Sequence, residues 1–438
     1  MQFSGDRCPS PWRRSRCDNR RVQPTKREIL ILGGGVIGLS CALLLLRAGR
    51  SVTLLDKGVV GHGSSRGNCG TITPSHLPLH APGTVGKALK WMLKRDAPFY
   101  VKPTLDPELL GWMLNFARRC NEGDFRRTAH VKTELLLRSR ERLGALIRDE
   151  QLDCEFVDSG TLYVWRTEQA LAKAHHDYEM LREVGVPVEL LDGAALRAKE
   201  PALKDGMAGG HWHSGDARLR PDRYVAELAR AVRAAGGTIL EQTTVQGFLR
   251  NGERLSGVGT TQGEIDADEV VLALGAWSPQ LGKQLGLHLP IQPGKGYSIT
   301  YSRPQRGTRI PLVLQERSVC VTAWDSGYRL GSTMEFSGYD TTLNQRRLDA
   351  LKRGAAEYLE EPEGPAVEEQ WYGWRPMTYD DLPIIGRAPC VSNLTLATGH
   401  GMLGVSLSAI TAQLVMESLT GRTPSLDPAP YRPERFMR

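Results

Sequence analysis

Three glycines and one acid hold the most informative chemistry in the chain. The stretch Glu28 to Asp56, EILILGGGVIGLSCALLLLRAGRSVTLLD, sets Gly33, Gly35 and Gly38 after a short apolar run and ends a second apolar run on an acid. Strand, phosphate turn, helix and strand in that order are what a dinucleotide needs. Gly33 turns the chain sharply, Gly35 lets the backbone approach a pyrophosphate, and Gly38 lets the helix lie against the sheet. The pyrophosphate then meets the positive end of the helix. Asp56, 23 residues after Gly33, is placed to accept hydrogen bonds from an adenosine ribose, and its charge argues against a 2′-phosphate there. NAD and FAD both remain open. Residues 29–46 are also an 18-residue segment without a charge, long enough for a membrane span, but the glycine cluster and the second strand oppose that reading.

Length and charge bound the rest. A chain of 438 residues is ample for two domains with sizeable cores. The formal charge of +7 collects in residues 1–27, where eight basic residues stand against two acids, so the body is nearly neutral and nucleic-acid binding is not expected. The tail has no apolar core and only partly matches a transit peptide or a twin-arginine signal. It reads as a disordered, dispensable extension. The eight cysteines include no CxxC pair, against an iron–sulfur or structural zinc site, and scattered thiols fit a cytoplasmic protein.

The elements that must position a dinucleotide recur along the chain. After Asp56 the run GHGSSRGNCGTITPSH is a small, polar loop able to fold over a cofactor. Helices are predicted over 86–120 and 130–150, with Leu109, Trp112, Met113 and Phe116 on one apolar face. Residues 155–168 alternate like a strand, and a helix runs from Pro221 to Gly236-Gly237. DEVVLALGAW (268–277) reads as a buried strand, 288–335 as strands without long helices, and about 403–420 as a final helix. The expected fold is α/β: a Rossmann-like dinucleotide domain (28–85, 216–282 and 371–438) interleaved with an antiparallel-sheet substrate domain (86–215 and 283–370).

With GGGVIG (33–38), the pieces SSRGNCG (64–70), TPSHLPLHAPG (73–83), GKGYS (294–298), GWRPMTYDDLPIIGR (373–387) and ATGHGMLG (397–404) make the chain similar to the FAD-dependent D-amino acid dehydrogenases. That family belongs to the wider group of glycine oxidase and sarcosine oxidase, and the resemblance covers roughly residues 28–436. It implies FAD as cofactor, held by Gly33, Gly34, Gly35, Val36, Ile37, Gly38, Asp56, Lys57, Ser64, Ser65, Asn68, Gly70, Val245, Ala273, Gly275, Gly401, Met402, Leu403 and Gly404. The family commonly has alanine where Cys69 stands, so no covalent flavin link carries over.

The residues of these pieces have chemistry of their own. ATGHGMLGVSLS before an apolar helix offers free backbone N–H groups, a suitable partner for the N1 and C2 carbonyl edge of a flavin, where negative charge grows on reduction. The resemblance makes Arg375 the grip on a substrate carboxylate, which a planar guanidinium can hold at two points; a salt bridge to Asp380 or Asp381 is the plain alternative. Tyr297 could close the pocket on the same carboxylate or simply pack, and His400 could donate to flavin or substrate or cap its turn.

The expected activity is oxidation of a small amino acid substrate to the imino acid by hydride transfer from Cα to flavin N5. The GWRPMTYDDLPIIG stretch also looks like members acting on D-proline or cis-4-hydroxy-D-proline. Rival readings are a glycine or sarcosine oxidase using oxygen, and a flavin subunit that only relays electrons. The resemblance implies that electrons pass to the respiratory chain, and with no iron–sulfur ligands in this chain a quinone, or a partner, is expected to reach the flavin. GKALKWMLKR (86–95), with Lys87, Lys90, Lys94 and Arg95 beside Leu89, Trp91, Met92 and Leu93, is either a peripheral contact with the inner membrane or a solvated helix.

Overall fold

The computed structural model describes residues 29–92 and 98–437. The basic tail and the residues Leu93, Lys94 and Arg95 lie outside the described residues. β1 (Ile29–Leu32) and β2 (Val52–Leu55) are buried at every position, as strands covered on both faces must be. α1 (Val36–Arg47) connects them, with Val36 to Leu43 all buried. β1 lies between β2 and Glu269–Leu272, parallel to both. Thr238–Leu240 extends the sheet beyond β2; Leu394–Thr398 and then the antiparallel Ile384–Arg387 extend the other side, giving six strands. The apolar segment is therefore strand, turn and helix. No helix among the described residues is long and apolar enough to cross a membrane.

A second sheet of nine strands faces this one. Its long members Val367–Thr378, Ile291–Tyr301 and Gly327–Phe336 are neighbours in antiparallel register, followed by Val319–Trp324, Leu312–Leu314, Thr161–Trp165, Gly209–His213 and Glu189–Asp192. Phe99–Val101 pairs with the end of Gly327–Phe336. A three-stranded sheet, Val245–Asn251 with Arg254–Thr260 and Gly263–Asp266, packs Leu255 and Val258 into the core that holds Leu30 and Leu32.

The architecture departs from the expected boundaries in three places. The helix Glu122–Asp149 buries Leu135, Leu136, Leu143 and Ile147 with Leu39, Leu43 and Ile410, so it packs on α1 and the helix Ser408–Thr420 of the dinucleotide domain although its sequence lies in the expected substrate segment. Its apolar positions recur every three to four residues, which sets one face of the helix and not the partner it meets. The strand Val367–Thr378 belongs to the nine-stranded sheet, so the expected boundary at 371 cuts through it. The final helix starts at Ser408 instead of about 403, because Gly399 and Gly401, at φ +74° and +54°, begin turns that run through Leu407.

Candidate active site

A cavity of about 1550 Å³ opens where the C-terminal ends of the parallel strands meet the nine-stranded sheet. Open α/β sheets bind nucleotides at that edge. Gly33, at φ +109°, turns under Ala273, whose carbonyl oxygen would lie 2.5 Å from any Cβ added there. Gly34 N–H donates to Asp56 Oδ2 and Gly58 N–H to Asp56 Oδ1, both at 2.8 Å. Each carboxylate oxygen keeps acceptor capacity for a ribose hydroxyl. Val36 N–H donates to Ser65 Oγ at 3.1 Å. The amides of Gly35 and Ile37 have no acceptor among the described residues and belong to the cavity wall, an anion cradle at the start of α1.

Gly34, Gly38 and Gly70 lie outside that wall, and packing accounts for all three. A Cβ would meet Val60 Cγ2 at 2.4 Å, Gly33 O at 1.9 Å and Leu219 O at 2.0 Å respectively. Lys57, Ser64, Ser65, Asn68, Val245, Ala273 and Gly275 line the cavity. Lys57 Nζ sits 4.0 Å over the Trp277 ring. The loop 64–70 is fastened from the opposite sheet: Ser64 Oγ donates to Trp374 O at 2.5 Å and Ser298 Oγ to Gly67 O at 2.8 Å. Arg329, 0% exposed, donates to Arg66 O and Asn68 O at 3.0 and 2.7 Å. Trp371 fills the space that glycine leaves at 67 and 373. Neither Arg329 nor Trp371 belongs to a spacing pattern that the sequence would reveal.

Gly401, Met402, Leu403 and Gly404 form the facing turn. Gly401 N–H donates to Pro376 O and Leu403 N–H to His400 O, while the amides of Met402, Gly404, Val405 and Ser406 have no acceptor among the described residues. The expected free N–H groups are thus in the turn ahead of the helix. His400 is buried and shares a 2.9 Å hydrogen bond with Thr411 Oγ1, tying the turn to the final helix; burial lowers its pKa to about 3, so the ring is neutral.

The nine-stranded sheet supplies the other wall. The Arg375 guanidinium lies over Gly296, where a Cβ would be 2.3 Å from Nη1 and 2.4 Å from Cζ. Nη1 donates to Thr333 O at 2.6 Å. The alternative salt bridge is not formed: Asp380 pairs with Arg435 and Asp381 with the buried Lys132, leaving Arg375 without an ion pair among the described residues. Burial lowers its pKa somewhat. Tyr297 lines the cavity, but its hydroxyl donates to Glu335 Oε2 at 3.3 Å, and Glu335 also faces Arg347, so that donor is already engaged. Cys69 Sγ occupies the space above Gly331, the cross-strand partner of Cys320. A hydrogen bond with Cys320 and the charges of Arg329 and Arg375 hold the Cys69 thiol below its ordinary pKa against the opposing effect of burial. Trp112, Phe336 and Met377 add a buried apolar face. The helix Thr84–Met92 contributes to the rim and buries none of its residues.

Comparison with known proteins agrees with this layout. Residues 28–418 match the family described as FAD dependent oxidoreductase. The D-amino acid dehydrogenase of Agrobacterium fabrum is 34% identical over 416 residues, 91% of this chain and 97% of that protein. That of Cereibacter sphaeroides is 34% identical over 426 residues, covering 94% and 95%. Among solved structures, glycine oxidase from Geobacillus kaustophilus superposes with a TM-score of 0.75 at 24% identity, covering 93% of this chain and 98% of that one. L-proline dehydrogenase from P. horikoshii gives 0.73 at 21%, covering 95% and 99%. The two amide cradles and Asp56 fit the pyrophosphate, flavin and ribose of FAD. The chain belongs to the FAD-dependent oxidoreductases, in the branch whose members are named D-amino acid dehydrogenase.

Proposed function

We propose that this enzyme oxidises a small D-amino acid to its imino acid, with D-proline or cis-4-hydroxy-D-proline preferred. Arg375 carries the reading: it is a guanidinium without a carboxylate partner among the described residues, laid over Gly296 on the wall of the FAD cavity. Holding the substrate carboxylate at two points fixes the direction of Cα–H. Bound FAD would accept that hydride. His400 acts by holding the Gly401 to Gly404 turn against the final helix, and Tyr297 by shaping the wall beside Arg375. The apolar face of Trp112, Phe336 and Met377 suits an aliphatic ring. The names of the relatives support a D-amino acid, and a fold neighbour named for L-proline supports a cyclic secondary amine.

A respiratory-chain quinone is the proposed acceptor, reached at an anionic membrane surface by the helix Thr84–Met92, which exposes Val85, Leu89 and Met92 beside Lys87 and Lys90. A panel of D- and L-amino acids, assayed with an artificial dye and with oxygen, tests the reaction. Faster turnover with D-proline and dye is expected; equal rates with oxygen would make it an oxidase, and idle cyclic secondary amines would refute the substrate. Sedimentation with anionic liposomes, lost in Lys87→Glu with Lys90→Glu, tests the docking. Equal sedimentation with and without liposomes would assign a soluble acceptor.

A further inference from the structure

Behind the Gly401 turn lies a charged chain outside the reaction described above. Lys132, 1% exposed, makes an ion pair with Asp381, and its Nζ also meets His76 Nδ1 at 3.4 Å. An ammonium only donates, so Nδ1 must accept and the imidazole proton resides on Nε2. Burial and the Lys132 charge lower the His76 pKa to about 4, which keeps the ring neutral. The loop presenting His76 is pinned on both sides by buried carboxylates: Ser75 donates twice to Asp216, and Leu79 N–H donates to Asp381 Oδ2 at 3.1 Å. His76 is partly exposed and lines the cavity. Leu79 joins the apolar cluster of Trp112, Phe336 and Met377, and Met377 is two residues from Arg375. A neutral, orientated N–H donor thus shares one wall with the carboxylate grip.

We infer that His76 is a specificity-determining residue whose Nε2–H donates to an oxygen substituent on the ring of the substrate, with Lys132 and Asp381 as positioning residues. The inference rests on the proposed oxidation of a cyclic D-amino acid and selects the hydroxylated substrate over D-proline. A hydrogen bond available to the ring oxygen and absent with the plain ring makes the discrimination.

The test is steady-state dye reduction by the FAD-loaded protein with cis-4-hydroxy-D-proline and D-proline. In the unmodified protein KM for the hydroxylated substrate should be about tenfold the lower, the size of one hydrogen bond. His76→Phe should abolish that ratio through KM, with kcat and flavin content unchanged, and His76→Gln, which keeps a donor, should restore most of it. Equal KM values in the unmodified protein would overturn the inference whether or not the variants fold. A parallel loss on both substrates, or loss of flavin, would overturn it by assigning His76 to the cofactor or the scaffold. Oxidation of acyclic D-amino acids alone would instead refute the cyclic-substrate reading on which the inference stands.

Discussion

The two walls of the cavity are built from different materials. The nucleotide side offers mostly backbone: amides of Gly35 and Ile37 at the start of α1, and of Met402, Gly404, Val405 and Ser406 in the facing turn. The substrate side offers side chains, with Arg375 on the nine-stranded sheet beside the apolar surface of Trp112, Phe336 and Met377. Backbone recognition tolerates little change in chain path, so its cost falls on glycines that cannot take a Cβ. Side-chain recognition can be retuned one residue at a time on an unchanged sheet. A cofactor common to a family and a substrate particular to a member are what that division would serve.

The division can be broken from the backbone side first, where the largest effect is expected. In Gly38→Ala the new Cβ would lie 1.9 Å from Gly33 O, a backbone atom that cannot swing away. Overpacking there should destabilise the protein by about 3 kcal/mol and remove bound flavin, read as lost absorbance at about 450 nm and a lower Tm. A yellow protein with an unchanged Tm would contradict the packing role. On the other wall Arg375→Lys should keep its flavin and lose about 1.5 to 3 kcal/mol in kcat/KM, roughly 10- to 150-fold, because an ammonium cannot reproduce two-point carboxylate alignment. Unaltered kinetics would return Arg375 to a structural role.

Gly296→Ala sharpens the comparison, since a glycine of the substrate wall serves a side chain. Its Cβ would meet the end of the Arg375 side chain, which can move aside, so the fold and flavin should survive while kcat/KM falls about 10- to 100-fold. Flavin loss equal to that of Gly38→Ala would erase the distinction. The smallest effect concerns acid stability. Burial depresses the pKa of His400 and His213 to about 3 from an ordinary 6.5, and the ring nitrogens of His213 have no hydrogen-bond partner among the described residues. Groups depressed on folding stabilise fully above pH 6.5 and lose that contribution as pH falls through the folded value. His213→Phe should therefore flatten the fall of Tm between pH 6.5 and 4, and an unchanged slope would locate the acid sensitivity elsewhere.

The same division explains what was legible in the sequence. Gly33, Gly35 and Asp56 announce themselves because close backbone approach admits few residue types and the strand–turn–helix fixes their spacing. The apolar face of the helix Glu122–Asp149 is visible as a periodicity, but the choice of the helices it packs on depends on residues far away in the chain. On the substrate wall Arg375 is legible only through resemblance. Its seat on Gly296, like the grip of Arg329 on the flavin loop and the pairing of Lys132 with Asp381, joins residues separated by 79, 261 and 249 positions, and no local pattern encodes such a contact.

The most direct test is anaerobic reduction of the FAD-loaded protein by single amino acids, followed as bleaching of the flavin band at about 450 nm. Rapid bleaching is expected with D-proline or cis-4-hydroxy-D-proline, little with the L-enantiomers, and strongly slowed bleaching in Arg375→Lys at full flavin content. A flavin that no D-amino acid reduces, or one reduced equally well with and without the Arg375 guanidinium, would contradict that expectation.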